Sequence, residues 1–285
     1  VLGFQKSLFW GGILMIIGSV ILGVSAHDYF YYGICLLIVG TGFFKPNIST
    51  MVGELYKEGD PRRDAGFGLF YAGINVGALF GGAICVYVGK SYSWDLAFLL
   101  SGGFMIVGLI TFLISRSKLG PIGLAPVHEF PLKAKRNTWL VYIGTLVALP
   151  LIYIMITNTH YTDMFMYIIG PATLVYLGSE MIKLKWEENK KMFAALVFIL
   201  LSILFWAFFE QSGGSLSLFA AHNLNNTVLG VSLDPNGVNN AANSFFVIVF
   251  AALVGMVWLW LHKRKLEPNT VVKFGLGFLF LAGGF

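Results

Sequence analysis

A lysine and a glutamate stand where the sequence offers them no water. Lys45 falls in Gly40-Thr-Gly-Phe-Phe-Lys-Pro-Asn47 and Glu210 in Trp206-Ala-Phe-Phe-Glu-Gln-Ser-Gly-Gly-Ser215, each inside a long apolar run. Lys45 is seven residues from the inner end of its run, roughly 10 Å of helical rise, which is more than a lysine stem covers comfortably by reaching back to the surface. A charge at such depth costs about 3 kcal/mol or more unless a cavity or counter-charge receives it, so an intramembrane ion is read first as part of a working site. The plainer alternative is a snorkelling lysine beside a kink, because Pro46 withdraws a hydrogen bond from the Gly42 carbonyl. Desolvation favours the neutral form of a carboxylate and an adjacent cation favours its charged form. A carboxylate balanced between them takes up and releases a proton as its partner moves. A structural ion pair between two helices is the plainer reading of Glu210, and a gating pair is both. Trp206 and Glu210 are four apart and share a helical face, with Phe209 beside them. Tyr71 and Asn75 are also four apart, and their hydroxyl and amide need partners that a neighbouring helix or a peptide-like ligand would supply. Asn243, in Asn239-Asn-Ala-Ala-Asn-Ser-Phe-Phe246, sits at the outer start of its apolar run, where Asn239 and Asn240 read as interfacial.

Such residues must be positioned by elements that tolerate oil. Of the 285 residues 57% are hydrophobic and 12% charged, with a mean hydropathy of +0.76; soluble chains average about 25% charged. So much apolar surface requires an apolar solvent, and the chain reads as an all-α polytopic membrane protein. Nine segments are long enough, or nearly so, to cross as helices: 7–25, 29–52, 65–89, 94–115, 138–157, 163–182, 192–221, 240–262 and 270–285. Frequent Gly and the lack of alternation argue against a membrane barrel. Cys35 and Cys85 lie in apolar runs and the five histidines form no metal-ligand spacing, so no disulfide framework or metal centre is expected. The chain opens at Val1 without a Met and stops at Phe285 in an apolar run, which reads as a piece of a longer protein.

The basic residues sort by loop. Alternate loops hold Lys6; Lys57, Arg62 and Arg63; Arg116, Lys118, Lys133, Lys135 and Arg136; Lys183, Lys185, Lys190 and Lys191; and Lys263, Arg264 and Lys265. The other loops hold only Lys90, while Lys45 and Lys273 fall within spans. That asymmetry puts residue 1 on the cytoplasmic side and removes nucleic acid as the reason for the net charge of +5. The stretch 116–137, with Gly120, Pro121, Gly123, Pro126 and Pro131, reads as a linker between helical bundles. Segments 138–157 and 163–182 form a hairpin with no deep charge, read as an insertion outside the working site. Gly73, Gly77 and Gly81 form a flat stripe expected to meet another helix closely. Asp60 and Asp64, beside arginines, read as solvated salt bridges.

At these residues the sequence resembles the proton-dependent oligopeptide transporter family of the major facilitator superfamily. Phe67-Gly-Leu-Phe-Tyr-Ala-Gly-Ile-Asn-Val-Gly-Ala-Leu79 matches that family's span-five signature at every defined position. Phe44-Lys-Pro-Asn-Ile48 resembles its span-four motif, Trp206–Ser215 its span-seven region, and Val1-Leu-Gly3 the tail of the loop between spans two and three. The resemblance implies the major facilitator fold, with core spans three to nine plus the helix pair that bacterial members insert. It implies three units: 1–115 (spans three to six), 116–191 (linker and inserted pair) and 192–285 (spans seven to nine). It implies a symporter that imports di- and tripeptides with protons, needs no cofactor, and lies multi-pass in a bacterial inner membrane. Lys45 would attract the peptide carboxylate and take part in proton coupling; Tyr71, Asn75 and Asn243 would hydrogen-bond the peptide. Trp206 and Phe209 would wall side-chain pockets, and Glu210 would join a coupling charge pair with a span-one arginine. The family's span-one Glu-x-x-Glu-Arg motif and span-ten carboxylate do not occur here, and Asn243-Ser244 stands where Asn-Pro is common.

Other readings remain open at this stage. A same-family carrier of nitrate or a small conjugate would differ in pocket residues outside this sequence. A membrane enzyme would need an acid–base pair, nucleophile or metal cluster at a mouth, and a channel a ring or repeat of charges.

Overall fold

Residues 2–57, 59–125, 131–223, 227–228, 231–232 and 235–285 are described by the computed structural model. Among them run α1 Phe4–Val24, α2 Ala26–Glu54, α3 Arg62–Ser91, α4 Trp94–Ser115, α5 Pro131–Thr157, α6 Thr159–Lys183, α7 Trp186–Phe209, α8 Ser215–Asn223, α9 Pro235–Lys263 and α10 Thr270–Gly284. A two-residue antiparallel pairing, Thr227–Val228 with Val231–Ser232, separates α8 from α9. Helices dominate because a bilayer offers no water to backbone N–H and C=O groups, which must then be satisfied within each segment. Among the described residues eight helical stretches are long and apolar enough to cross, while α10 is a shorter apolar helix of 15 residues. Side-chain caps set several starts: Ser25, Ser93 and Asn269 accept from the backbone N–H of Asp28, Leu96 and Val272.

Helices α1, α2, α3 and α4 pack into one group, with α1 against α2 and α4. Lipid supplies no hydrophobic drive between helices, so close approach depends on small residues. A Cβ at Gly18 would lie 2.8 Å from the Gly33 carbonyl oxygen, and one at Gly40 would lie 2.8 Å from that of Gly11. Leu8 and Leu22 fill the interior of this group. Helix α3 crosses to α9 through a second small-residue contact: a Cβ at Gly68 would come 3.2 Å from the Ala251 carbonyl oxygen, and one at Gly255 would come 3.4 Å from Ala65 Cβ. The stripe expected to make such a contact makes none among the described residues. Nothing described lies within 4 Å of a Cβ at Gly73, Gly77 or Gly81, because α9 packs on the face that carries Ala65 and Gly68.

Three further expectations change. The linker is shorter than 116–137, since α5 begins at Pro131, where a proline's missing N–H costs nothing; Pro126 and its neighbours through 130 lie outside the described residues. Segment 192–221 is not one helix. Helix α7 stops at Phe209, a 3-10 turn covers Glu210–Gly213, and α8 starts at Ser215, as the Gly213-Gly214 pair removes the side chains that favour continuation. Asp64 is paired otherwise than expected: Lys273, within the last span as expected and in the first turn of α10, brings its Nζ to 2.6 Å from Asp64 Oδ2. Asp64 therefore pairs with a distant lysine. Asp60 pairs as expected, its carboxylate 2.8 Å from Arg62 Nη2 and its pKa lowered to about 2 by that hydrogen bond.

The α5–α6 hairpin turns at Asn158, whose side chain accepts from the His160 N–H at 3.1 Å. It packs on α2 and α1 through Tyr153 stacked on Tyr32 and Tyr142 edge-on to Trp10. Parallel to α7, α10 is joined by the ring pairs Phe198–Phe274, Phe205–Phe278 and Phe208–Phe285.

Candidate functional site

Lys45 sits nine residues before the end of α2 at Glu54, about 13 Å along the helix. The helix continues through Pro46, and nearby side chains bond to its carbonyls: Asn47 Nδ2 donates to Phe43 at 2.7 Å, Ser49 Oγ to Lys45 at 3.1 Å and Thr50 Oγ1 to Pro46 at 2.9 Å. The Lys45 side chain is exposed, and no ion pair reaches it among the described residues. Helical spacing puts Ser49 and Gly53 below Lys45 on α2, while Phe67 and Arg63 lie below Tyr71 on α3. Between these rows a cleft of about 630 Å³ is lined by Ser49, Thr50, Gly53, Glu54, Arg63 and Phe67, with Tyr56. The sequence reading did not single out these inner residues, although the four-residue step from Lys45 and Tyr71 was there to be followed.

Tyr71 and Asn75, though on one face of α3, differ in surroundings. Tyr71 is exposed. Asn75 is buried, and its Nδ2 donates to the Tyr71 carbonyl at 2.9 Å. The antiparallel register that sets Ala65 by Gly255 and Gly68 by Ala251 brings Asn75 level with Ser244, which is also buried. Asn75 thus lies along the α3–α9 contact.

Glu210 begins the 3-10 turn at the break after α7, with its side chain exposed. The break is tied by side chains: Gln211 Nε2 donates to the Ala207 carbonyl at 3.3 Å, Ser215 Oγ to Gln211 Oε1 at 2.8 Å and Ser217 Oγ to the Ser212 carbonyl at 2.7 Å. Trp206 meets Phe209 edge-on at 5.3 Å, and Phe209 stacks on Phe205 at 6.0 Å. Phe209 and Asn243 line one cavity of about 290 Å³, with Ser212, Leu216, Phe280 and Leu281 among its walls.

Apart from Asn75 on the α3–α9 side, the expected residues therefore fall into two groups. Lys45 and Tyr71 flank the track between α2 and α3, whereas Trp206, Phe209, Glu210 and Asn243 gather around the broken helix and α9. No ion pair or hydrogen bond joins Lys45 to Glu210 among the described residues.

The profile of the POT family matches residues 5–285. The chain is 33% identical over 294 residues to the di-/tripeptide transporter of Lactococcus lactis subsp. cremoris, covering 98% of this chain and 58% of that protein. It is 29% identical over 301 residues to the peptide transporter YePEPT of Yersinia enterocolitica, covering 100% of this chain and 59% of the relative. Among solved structures, a peptide transporter POT in complex with sulfate superposes with a TM-score of 0.70 at 31% identity, over 99% of this chain and 58% of the other. A POT family transporter in complex with 5-aminolevulinic acid gives a TM-score of 0.72 at 26% identity, over 99% of this chain and 60% of the other. The chain spans a little under three fifths of the length of the curated relatives it matches.

Proposed function

The chain belongs to the POT family, and on that premise we propose that the whole protein is a proton-coupled symporter importing di- and tripeptides by alternating access. Its fold is the all-α, multi-pass arrangement of the major facilitator superfamily. The observation that carries the reading is the broken helix: Glu210 stands where α7 gives way to a 3-10 turn, beside the Trp206–Phe209 ring pair. Secondary transporters build substrate and ion sites at such discontinuities near the midplane, where freed backbone groups and an ionisable side chain face a cavity instead of lipid.

A zwitterionic peptide requires both signs of charge, polar donors and tolerant apolar walls. Lys45 supplies the cation for the carboxylate end and takes part in proton coupling, with Glu210 as the proton-binding carboxylate. Tyr71, Asn75 and Asn243 supply polar contacts; Trp206 and Phe209 supply the walls. Protons are the coupling ion and no other cofactor enters. Three units serve the cycle: 1–115 and 192–285 as parts of the two rocking bundles, and 116–191 as linker and inserted pair. The protein lies in a bacterial inner membrane with residue 1 cytoplasmic and the bilayer as its medium.

The test is dipeptide uptake by the full-length protein in liposomes under an imposed pH gradient. Lys45→Ala is expected to abolish proton-driven uptake, and Glu210→Gln to reduce it by about tenfold or more, roughly 1.4 kcal/mol in the coupled step. Unchanged pH-driven uptake in either variant removes that residue from the mechanism. Because one related structure holds 5-aminolevulinic acid, competition by that compound in the same assay separates a peptide carrier from a carrier of small amino-acid-like cargo.

A further inference from the structure

The sequence placed Asp64 in a solvated loop and Lys273 within a span, yet the fold joins them. Lys273 Nζ lies 2.6 Å from Asp64 Oδ2 and 2.5 Å from Glu267 Oε1, and the other Glu267 oxygen lies 2.6 Å from His262 Nδ1. Asp64 is in the first turn of α3, His262 in the last turn of α9, Glu267 in the connection that follows, and Lys273 in the first turn of α10. All four lie on the cytoplasmic side by the distribution of basic residues, three at helix ends and Glu267 in the connection between α9 and α10. Lys273 is largely covered, its side chain 18% exposed and its ammonium 5.1 Å from the Trp258 ring, while Asp64 is 51% exposed, so the lysine's end of the pair is shielded from water and salt and the aspartate's end is open to them.

Of its two carboxylate partners, Glu267 is local and Asp64 is 209 residues away. The Glu267 bond organises the α9–α10 connection. The Asp64 bond ties α3 to α10, and directly above it the Ala65–Gly255 and Gly68–Ala251 contacts press α3 on α9. We propose that Lys273 and Asp64 form a latch that holds the cytoplasmic ends of the two helical units together, with Glu267 orienting the lysine, and that the latch opens when the carrier faces inward. This rests on the carrier reading above. An alternating-access protein has two packings of nearly equal free energy, so one cross-unit ion pair is enough to shift their populations several-fold.

The test uses the full-length protein in lipid, with Cys35 and Cys85 replaced by Ala and spin labels at Lys57→Cys and Lys263→Cys, both exposed and outside the latch. Asp64→Asn is expected to raise the population of the longer label distance about threefold or more, whereas Glu267→Gln, which leaves the cross-unit pair, is expected to change it by less than about half that factor. An Asp64→Asn distance distribution equal to wild type overturns the latch, as does an equal effect of the two variants. A second measurement holds even if Asp64→Asn folds poorly. Ala65→Cys with Gly255→Cys places two thiols near the ~3.5–4.5 Å Cβ spacing of a disulfide, and the cross-link is expected to stop uptake reversibly with reductant. Undiminished uptake with the bridge formed overturns the proposal. The label distances do not require the substrate to be known, so a protein that carries no dipeptide fails the carrier reading without deciding the latch.

Discussion

At the scale of single residues, the informative comparison is between Tyr71 and Asn75. They share a face of α3, and both are polar groups in oil that must find partners. Asn75 has one already, because its amide donates to the Tyr71 carbonyl and its side chain is buried along α9. Removing a buried, bonded amide costs roughly 1–3 kcal/mol. Asn75→Ala is therefore expected to lower the melting temperature of the detergent-solubilised protein by several degrees. Tyr71→Phe deletes only an exposed hydroxyl and should leave melting unchanged while raising the dipeptide KM. Melting curves and uptake kinetics on both variants check this, and an Asn75→Ala protein that melts like wild type would remove the structural share of that amide's role. Glu267 adds a residue-scale pH statement: its hydrogen bonds from Lys273, and next from His262, hold its carboxyl below the usual glutamate range. Its contribution is thus present above the ordinary glutamate pKa and is lost as pH falls through the lower, folded value.

At the scale of elements, glycine position decides which helices meet. Gly40 and Gly11 allow the α1 and α2 backbones to approach until an added Cβ at Gly40 would sit 2.8 Å from a carbonyl oxygen. That oxygen is backbone and cannot swing aside. Gly40→Ala is expected to force the pair apart and destabilise the protein by about 1–3 kcal/mol, read as a lower melting temperature. Gly42, two residues on and turned to the other side of the helix, has nothing described within 4 Å, so Gly42→Ala should melt like wild type. The break after α7 belongs to this scale too. Its polar ties run through Gln211 and Ser217, which donate to backbone carbonyls that a continuous helix would have satisfied by itself, and through Ser215, which holds the Gln211 side chain.

At the scale of the whole molecule, orientation follows from charge and is directly testable. Single cysteines at Ser91 and Ser117, both exposed, should react with an impermeant maleimide from opposite sides of the membrane, Ser91→Cys from outside and Ser117→Cys from the cytoplasm. Labelling of both from one side would overturn the topology. Hydropathy determined the span pattern and the all-α class, and loop charge sets the orientation to be tested, because each is a transfer property of a segment that depends little on its neighbours. The motif residues around Lys45, Tyr71 and Glu210 were legible for a similar reason: an ionisable or polar group in an apolar run is conspicuous wherever the run packs. What the sequence could not settle was who touches whom. It pointed to a glycine stripe that meets no described residue, ran one helix through Glu210–Gly214, and left Lys273 and Asp64 without each other. Those outcomes depend on the register between helices far apart in the chain, and on whether a Gly-Gly pair bends or continues under the packing around it. Only the tertiary structure decides such matters, since small-residue packing and cross-chain ion pairs have no periodic signature in one dimension.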